Sequence, residues 1–526
     1  MRENRLLISS HLESAKKYVF QGMEQILNNQ QDESHSISVS PGATALACLA
    51  LLALGKGYEN QLLKGINWLG ENRFNNAWGK YPGDSADEEV THLARAVIQG
   101  STGGWLAKIA LVTQARQFSD MILSLGQRVV TGLVGPTPEE IRLPRILEDK
   151  VLAKLPPYGR PVVVAAALLA AGENQSGIKQ GLEYLKNTQM HNGSWAEDIV
   201  ATSLGILAFL KYRGNMDRAR KAGNWLIKRQ YQSGGWPAFD QLKNWAAGWG
   251  IVVLKETGPK SYESDLITRV QRWLVQAKNT DGSYGTTPPY THPDLDDTAV
   301  ALLALKQHEG NKDTLELLKR LQNSEGSWGT FPDFQGKPPE LICNSPVYIT
   351  SVDVTIHVLE ALSKSESCIQ DQVFMKGLNW LLSEQTSNGD FPSVWFEGNV
   401  YSTAQALEIM SKLRFNWQQF SISNRASVAR KKSVNFLLNA QKEDGGWGSV
   451  IETSFALSVL CCYQNKSIES ACQRALVNLL SRQKSTGSFV NCYKGIYAKG
   501  WNYEEPISTT LIAIRAIYRS LNRFRN

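Results

Sequence analysis

Apolar residues recur along the chain at helical spacing, in two kinds of stretch that alternate. Amphipathic stretches such as "GLNWLLSEQ" and "SVNFLLNAQ" are each followed by a short Gly-containing segment and then by a second apolar stretch. The unit repeats with a period of roughly 40 to 60 residues. This pattern predicts an all-α fold in which pairs of helices are joined by turns.

The joining segments share a motif: Gln, three residues, Gly, one residue, aromatic. We expect the Gly to take the left-handed conformation that ends one helix, the aromatic ring to cover the exposed end of the next helix, and the Gln to bond free turn backbone. Repeated helix pairs of this kind predict an α/α barrel, formed twice along the chain. Complete copies end at Trp195, Trp236, Trp328, Phe391, Trp447 and Phe489, and looser copies end at Trp78 and Tyr284.

Composition narrows the class of protein. The 526 residues are 42% hydrophobic and 20% charged, which suits sizeable cores in about two domains. The formal net charge of +7 comes without a run of Lys and Arg interleaved with aromatics, so no nucleic acid partner is expected. The 7 Cys lack metal-like spacing and indicate reduced thiols. The N-terminal "MRENRLLISSHLESAKK" lacks a signal peptide's apolar segment and the apolar runs are short, so we expect a cytoplasmic protein, soluble or peripheral to a membrane.

Three carboxylates stand together in "PDLDDTAVALLAL", directly before an apolar helical run: Asp294, Asp296 and Asp297. One Asp at this place is explained as a helix cap, and Asp297 is the expected one. Crowded carboxylates in a low-dielectric cavity cannot all ionise cheaply, so at least one is expected to keep its proton at neutral pH. Such an acid suits the protonation of an isolated alkene, which creates a carbocation.

These residues resemble a known family. "DLDDTA" is similar to the Asp-x-Asp-Asp-Thr-Ala motif of class II terpene cyclases, which include squalene-hopene cyclases and copalyl diphosphate synthases, and the repeats resemble that family's Gln-Trp motifs. "SVDVTIHVLEAL" is similar to the segment that supplies the histidine partner of the acid, and "WFEGNVYSTAQAL" to an aromatic segment of the cavity. The resemblance implies an enzyme, an intramolecular isomerase that protonates and cyclises a linear isoprenoid.

The resemblance also implies roles for the polar residues. Asp296 is the implied general acid, and Asp294 and Asp297 hold its geometry and charge. His357 is implied to hydrogen-bond Asp296 and raise its acidity, although a lone His in an apolar helix is otherwise a satisfied core residue.

A further carboxylate, Asp353, lies one helical turn before His357. With Tyr401 it is implied to hold a water that returns the proton to the acid; a helix N-cap is the alternative for Asp353.

Aromatic faces stabilise a carbocation by cation–π attraction without offering a nucleophile, and core packing is the alternative for each ring. The expected cavity aromatics are Trp236, Tyr284, Tyr290, Trp395, Trp501 and Tyr503.

The family's two-barrel arrangement gives an expected domain division. An N-terminal helix, residues 1–25, joins residues 232–526 in the catalytic barrel, and residues 26–231 form an inserted barrel. In the inserted barrel "YPGDSADEEVTHLARA" occupies the place of a second acidic motif. Its carboxylates either form a solvated helix start or attract Mg²⁺. They are Asp84, Asp87, Glu88 and Glu89.

Substrate choice is less constrained. Chains of this length resemble bacterial two-domain enzymes that cyclise geranylgeranyl diphosphate to a copalyl-type or halimadienyl-type diphosphate, for which Mg²⁺ and no organic cofactor are expected. Lys243 and Lys499 are candidate diphosphate ligands or ordinary surface lysines. Glu504 and Glu505 stand where relatives tend to have an arginine, and two carboxylates near a diphosphate are unfavourable. A prenylated aromatic or a neutral polyene such as squalene therefore stays an alternative substrate, for a monomer or a homodimer.

Three other classes of protein account for part of the sequence. A helical-repeat interaction scaffold explains the periodicity but not the "DLDDTA" cluster with "VTIH" downstream. A protein prenyltransferase β subunit needs a zinc site of Asp, Cys and His, and Cys343 and Cys368 form no such pattern. A barrel glycosidase needs two carboxylates at a defined separation, which the sequence alone does not exclude.

Overall fold

The computed structural model is a helical protein, and β-structure is limited to isolated bridges among the residues it describes. The described residues are 2–28, 33–79, 86–102, 147, 152, 159–171, 176–213, 215–237, 242–288, 293–305, 311–331, 350–363, 368–393, 396, 398–413, 419–489 and 504–524.

The helices are numbered in chain order within these residues. The first eight are α1 (Arg2–Leu27), α2 (Pro41–Leu54), α3 (Glu59–Glu71), α4 (Glu88–Thr102), α5 (Gly159–Ala170), α6 (Ile178–Thr188), α7 (Ile199–Lys211) and α8 (Met216–Lys228). The remainder are α9 (Lys243–Glu256), α10 (Ser261–Gln276), α11 (Leu295–Ala304), α12 (Lys312–Arg320), α13 (Val352–Leu362), α14 (Gln372–Ser383), α15 (Val400–Lys412), α16 (Phe420–Ala440), α17 (Val450–Leu460), α18 (Lys466–Ser481) and α19 (Pro506–Arg523).

Six of the described helices close into a ring. Along the ring α9 packs on α11, α11 on α13, α13 on α15, α15 on α17, α17 on α19, and α19 back on α9. Amphipathic helices alternate with these in sequence and pack outside them, and α1 completes the outer layer against α19, α10 and α9. The inner helices are apolar on nearly all sides because both of their faces are covered. The all-α prediction with α/α barrels is therefore confirmed.

A second set of helices packs around its own core. In this set α2 contacts α4, α7 and α8, and α7 contacts α5. The core extends from Val39 to Trp236. Of the two core clusters of the ring, one combines residues of α1 with residues from Ala246 onwards, and the other begins at Leu295. The boundaries 1–25, 26–231 and 232–526 stay predictions. No helix in the described ranges is long and apolar enough to cross a bilayer.

The repeated motif fixes how each inner helix is seated. In all eight copies the backbone N–H of the motif's aromatic residue donates to a Thr hydroxyl near the start of an inner helix, at 2.9–3.1 Å. This hydrogen bond fixes where each inner helix that carries such a Thr begins relative to the motif's aromatic residue. These threonines are Thr44, Thr91, Thr202, Thr298, Thr355, Thr403, Thr453 and Thr510.

The motif's Gln joins two outer helices. In the six complete copies its Nε2 donates to the carbonyl of the motif's Gly at 2.8–3.0 Å. The same nitrogen donates to a backbone carbonyl of a neighbouring outer helix; Gln483, for example, reaches the carbonyl of His11 in α1 at 3.0 Å. The Gly has no substitute at a position such as Gly326, where φ is +115° and an added Cβ would lie 2.7 Å from the Lys376 carbonyl oxygen.

Candidate active site

The Asp cluster lies at the start of the inner helix α11. Asp294 has extended backbone angles, and its Oδ1 accepts the backbone N–H of Asp296 at 2.8 Å and of Asp297 at 3.4 Å. Asp294 is therefore the N-cap, and the expectation that Asp297 caps this helix is wrong. The repeat explains the difference, because the N-cap stands four residues before the motif's Thr; Ser351 has the same place before Thr355.

The centre of the site is a chain of short hydrogen bonds. Oδ1 of Asp296 lies 2.6 Å from Nδ1 of His357, and Nε2 of His357 lies 2.6 Å from the hydroxyl of Tyr401. Nε2 of Gln405 lies 3.4 Å from the same imidazole nitrogen. The sequence-predicted acid, its histidine partner and Tyr401 are thus brought together from three neighbouring inner helices, α11, α13 and α15.

The three carboxyl groups of the cluster have different surroundings. Asp294 and Asp297 are 4% and 3% exposed, whereas Asp296 is 8% exposed. Burial, and next the charge of neighbouring carboxylates, raise the pKa of Asp294 and Asp297 well above the usual range, although backbone N–H groups act the other way. The surroundings therefore favour the protonated form of both groups, and the two lie on either side of the more accessible Asp296 in the sequence.

The charge state of His357 follows from its neighbours. Burial lowers the pKa of the imidazole, but the charge of Asp296 and its hydrogen bond, then the charges of Asp353 and Glu360, outweigh burial and raise the pKa overall. The surroundings therefore favour the imidazolium, in which both ring N–H groups donate. Nδ1–H then points to Asp296 and Nε2–H to the Tyr401 oxygen.

Asp353 lies one turn before His357 at the beginning of α13. Its side chain is buried, and its Oδ2 accepts a hydrogen bond from the Ser393 hydroxyl at 3.0 Å. The N-cap of α13 is Ser351, so Asp353 does not cap this helix. Asp353 therefore adds a negative charge to the surroundings of His357.

Two predicted cavity aromatics belong to the repeat packing. Trp236 is fully buried in the core of the first helix set, and its indole N–H donates to the Leu226 carbonyl at 2.8 Å. Tyr284 is buried in the ring's core; burial raises its pKa, and the charge of Asp313 on the outer helix α12 adds to that rise. Both side chains thus pack in the position of the motif's aromatic residue. They are separate from the hydrogen-bonded chain Asp296–His357–Tyr401.

Other aromatic residues, not singled out in the sequence, do adjoin the site. The Trp245 ring lies edge-to-face on His357 at 5.2 Å, and the Trp245 backbone N–H donates to the Asp297 carboxyl. The rings of Phe396 and Phe455 lie 3.9 and 4.7 Å from that of Tyr401. A sequence signal existed for Trp245, because two Trp four residues apart interrupt the small residues of "NWAAGWG" in an inner helix.

The remaining candidates are placed less informatively. Lys243 is buried at the start of α9, two residues before Trp245. Asp87 Oδ1 accepts the Val90 backbone N–H at the start of α4, and Glu88 is exposed. Among the residues that the structure describes, no group of three His, Cys, Asp or Glu could hold a metal ion. Candidates outside the described residues are Tyr290, Trp395, Trp501, Tyr503, Lys499 and Asp84.

Two protein-family models match the chain. Residues 288–498 match the squalene-hopene cyclase C-terminal domain, and residues 236–337 match the prenyltransferase alpha-alpha toroid domain. The first match includes the site residues of α11, α13 and α15.

Curated relatives match shorter segments. A squalene–hopene cyclase of Zymomonas mobilis is 24% identical over 230 residues, which is 41% of this chain and 33% of the relative. A copalyl diphosphate synthase of Streptomyces anulatus is 26% identical over 201 residues, 36% of this chain and 32% of the relative. A lanosterol synthase of Mus musculus is 25% identical over 173 residues, 30% of this chain and 22% of the relative. The matches thus span a third or less of the length of these relatives.

One solved structure matches nearly the whole chain. It is the ent-copalyl diphosphate synthase from Streptomyces platensis, with a TM-score of 0.57, 16% sequence identity, and coverage of 96% of this chain and 99% of that chain. At this identity the match shows a shared fold. Taken with the family models and the curated relatives, it shows that the chain has the α/α toroid fold and is similar to class II terpene cyclases.

Proposed function

We propose that the chain is a class II terpene cyclase that protonates an alkene of a linear isoprenoid and lets the resulting cation cyclise. The observation that carries the proposal is the hydrogen-bonded chain Asp296–His357–Tyr401, which lies next to two buried carboxyl groups, Asp294 and Asp297, whose pKa values burial raises. The names of the relatives, squalene–hopene cyclase and copalyl diphosphate synthase, support the same reaction class.

Asp296 delivers its proton from Oδ2, because Oδ1 is held by Nδ1 of His357. The O–H bond of Asp296 breaks, a C–H bond forms on the less substituted alkene carbon, and the positive charge appears on the other carbon. The carboxylate left on Asp296 is stabilised by the imidazolium and by the N-terminus of α11. Because burial raises the pKa of Asp294 and Asp297, their protonated forms are favoured, and a protonated carboxyl does not oppose the new charge.

The cation then needs stabilisation without a nucleophile. Partly exposed Trp245, together with Phe396 and Phe455, offers ring surface next to the acid. Loss of a proton from the cyclised cation ends the reaction, and a proton from water restores Asp296. Asp353 and Tyr401, one on each side of His357, are the proposed holders of that water.

Geranylgeranyl diphosphate, cyclised with its diphosphate retained, is the proposed substrate. In the sequence, the carboxylates of Glu504 and Glu505 disfavour a diphosphate. Glu505 caps α19 by accepting the Ser508 backbone N–H, and burial raises its pKa to about 7. Burial also raises the pKa of Glu504. Glu505 therefore carries less negative charge at neutral pH than its sequence indicates, and this part of the objection to a diphosphate loses weight.

Mg²⁺ enters the proposal only as a counter-ion of the substrate diphosphate. The described residues offer no three-ligand cluster, and the candidate Asp87 is engaged as a helix-start acceptor. The part of the chain that the structure describes therefore forms no built Mg²⁺ site, and we assign the ion no step of the reaction.

The test compares wild-type protein with Asp296→Asn, which keeps the shape of the side chain but removes the acidic proton. Each protein is incubated with geranylgeranyl diphosphate and Mg²⁺, treated with phosphatase, and its alcohols are analysed by mass spectrometry. The matched control is Asp217→Asn, the same change at an exposed position of α8. We expect a cyclic alcohol of unchanged mass from wild type and control only, with equal circular dichroism for all three.

Other outcomes separate the alternatives. Turnover of squalene or of a prenylated aromatic, but not of geranylgeranyl diphosphate, would retain the cyclase and replace its substrate. No turnover of any of these polyenes by wild type would favour the helical-repeat scaffold, and equal turnover by Asp296→Asn would remove Asp296 as the acid.

A further inference from the structure

Glu360 is a buried carboxylate for which the proposed reaction has given no role. It lies on α13 three residues after His357, so the two side chains project from the same side of the helix. It is 3% exposed and stands in the otherwise apolar second half of "VDVTIHVLEAL". A carboxylate in such a place is costly unless a partner neutralises it, so its charge needs an explanation.

The partner of Glu360 is shared with a second carboxylate. Nζ of Lys412 is 3.5 Å from Oε1 of Glu360, whereas it is 2.7 Å from Oε1 of Glu408. Oε1 of Glu360 makes no hydrogen bond with the residues described, and the Lys412 side chain is 38% exposed. Glu408 is also contacted by Arg515 and Arg519, each at 2.9 Å. The cations therefore concentrate on Glu408, and Glu360 keeps much of its negative charge.

Glu360 lies one helical turn from the imidazole of the active site, close enough for its charge to act on it. The groups around His357 are Asp296 from α11, Asp353 and Glu360 from α13, Tyr401 and Gln405 from α15, and Trp245 from α9. A reactive state with protons on both Asp296 and His357 carries one positive charge inside the barrel. The carboxylates of Asp353 and Glu360 flank His357 on the same helix and offset that charge.

We infer that Glu360 is a positioning residue of the acid: its carboxylate keeps His357 in the imidazolium state, and so keeps a charged donor on Asp296 when the proton leaves. The inference rests on the proposed cyclase function. Glu360 touches neither Asp296 nor the isoprenoid, and it acts through His357. The direction of the His357 pKa, raised in part by Glu360, agrees with this arrangement.

The test is Glu360→Gln, which keeps the size of the side chain and removes its charge. At the separation of residues three apart on a helix, and in a partly shielded interior, loss of one charge is expected to lower the His357 pKa by about one unit. The turnover number should fall about tenfold above that pKa, and the alkaline limb of the pH profile should move about one unit towards acid. KM should stay unchanged, and Glu360→Asp, which restores the charge, should recover the wild-type profile.

Lys412 provides a variant of opposite sign. Lys412→Gln removes a positive charge beside Glu360 and leaves the carboxylate in place, so the alkaline limb should stay or move towards higher pH. If Glu360 only supported packing, the pH profile would not move towards acid in Glu360→Gln alone. An acid-ward shift in both variants, or an unmoved profile in Glu360→Gln, would overturn the inference.

A readout without turnover separates this inference from the cyclase proposal. In protein labelled with ¹³C at histidine Cε1, the His357 resonance is assigned by its loss in His357→Gln and titrated in wild type and Glu360→Gln. A lower His357 pKa in Glu360→Gln supports the electrostatic role even if no polyene is turned over, which would sink the cyclase alone. Equal pKa values in two folded proteins would sink the inference while leaving the cyclase intact.

Discussion

Replacing His357 is expected to slow protonation without weakening substrate binding. The imidazole is the one described side chain that contacts both Asp296 and Tyr401, at 2.6 Å each. A hydrogen bond to a charged group contributes about 1.5–3 kcal/mol and a neutral one about 1 kcal/mol. His357→Gln keeps a donor but loses the charge, a loss of about 1–2 kcal/mol in the transition state, which is roughly a 5- to 30-fold lower turnover number.

His357→Leu removes donor and charge together. Loss of a preorganised donor from a charge that develops in the transition state costs about 100- to 1,000-fold in turnover number. KM should change little in either variant, because the interaction strengthens only as Asp296 becomes a carboxylate. The assay is steady-state formation of the cyclic product, with circular dichroism to check the fold.

Gln405→Leu is the matched control for these variants. Its amide lies 3.4 Å from His357 Nε2 and it adjoins the same imidazole, but it does not contact Asp296. We expect a loss several times smaller than that of His357→Leu. A His357→Leu protein with wild-type turnover would refute the reasoning, and so would an equal loss in Gln405→Leu, which would point to general repacking of the barrel.

Two further predictions concern stability. Gly326→Ala should lower the melting temperature, because a left-handed φ costs a residue with a Cβ about 1–2 kcal/mol and the Cβ would also meet the Lys376 carbonyl. Gly42→Ala is the control and should leave the melting temperature unchanged, because φ is ordinary there and the nearest side-chain atom is 3.5 Å from the added Cβ. Glu408→Gln should lower the free energy of unfolding by about 3–5 kcal/mol, because it leaves Arg515 and Arg519 with less compensation in the interior. Burial opposes the Glu408 carboxylate, but Arg515, Arg519 and Lys412 hold its pKa well below the usual range, so its contribution is present at neutral pH and is lost in acid. Chemical denaturation at pH 7 and at lower pH should show that the difference in free energy of unfolding between wild type and Glu408→Gln becomes smaller in acid. A difference that grows in acid would contradict this assignment.

The helical repeat was the part of the structure most open to prediction from sequence. The spacing of Gln, Gly and aromatic residue repeats often enough to indicate paired helices. The structure bears this regularity out, because Gln483 and Trp447 make the same kinds of hydrogen bond to backbone carbonyls as their counterparts in other copies. The N-cap at Asp294 was missed although the same regularity predicts it. Any of the three carboxylates can cap a helix by residue type. The Thr four residues after Asp294 is what distinguishes Asp294 as the cap, because it fixes the start of the helix.

Side-chain environment was harder to predict. Trp236 and Tyr284 end motif copies, so their packing role was visible in the sequence, yet similarity to a family placed them in the cavity. Trp245 on α9 lies next to His357 on α13 because both helices pack against α11, although the two residues are about 110 positions apart in sequence. Neither periodicity nor motif spacing reports which rings face one another across such a contact.

The repeat itself explains where the chemistry lies. Asp296, Asp353 and Tyr401 each stand two residues before the motif's Thr, on three consecutive inner helices, and therefore occupy one level of the ring. At the same level the next inner helix, α17, presents the buried Ile451. The polar arc thus ends at α15, and an apolar side chain follows it around the ring. A protonation followed by carbocation cyclisation requires this arrangement, with an acid on one arc of the ring and apolar surface beyond it. Aligning the threonines of the repeat predicts the arrangement from sequence. The alignment does not predict the orientation of the His357 side chain, which joins Asp296 to Tyr401.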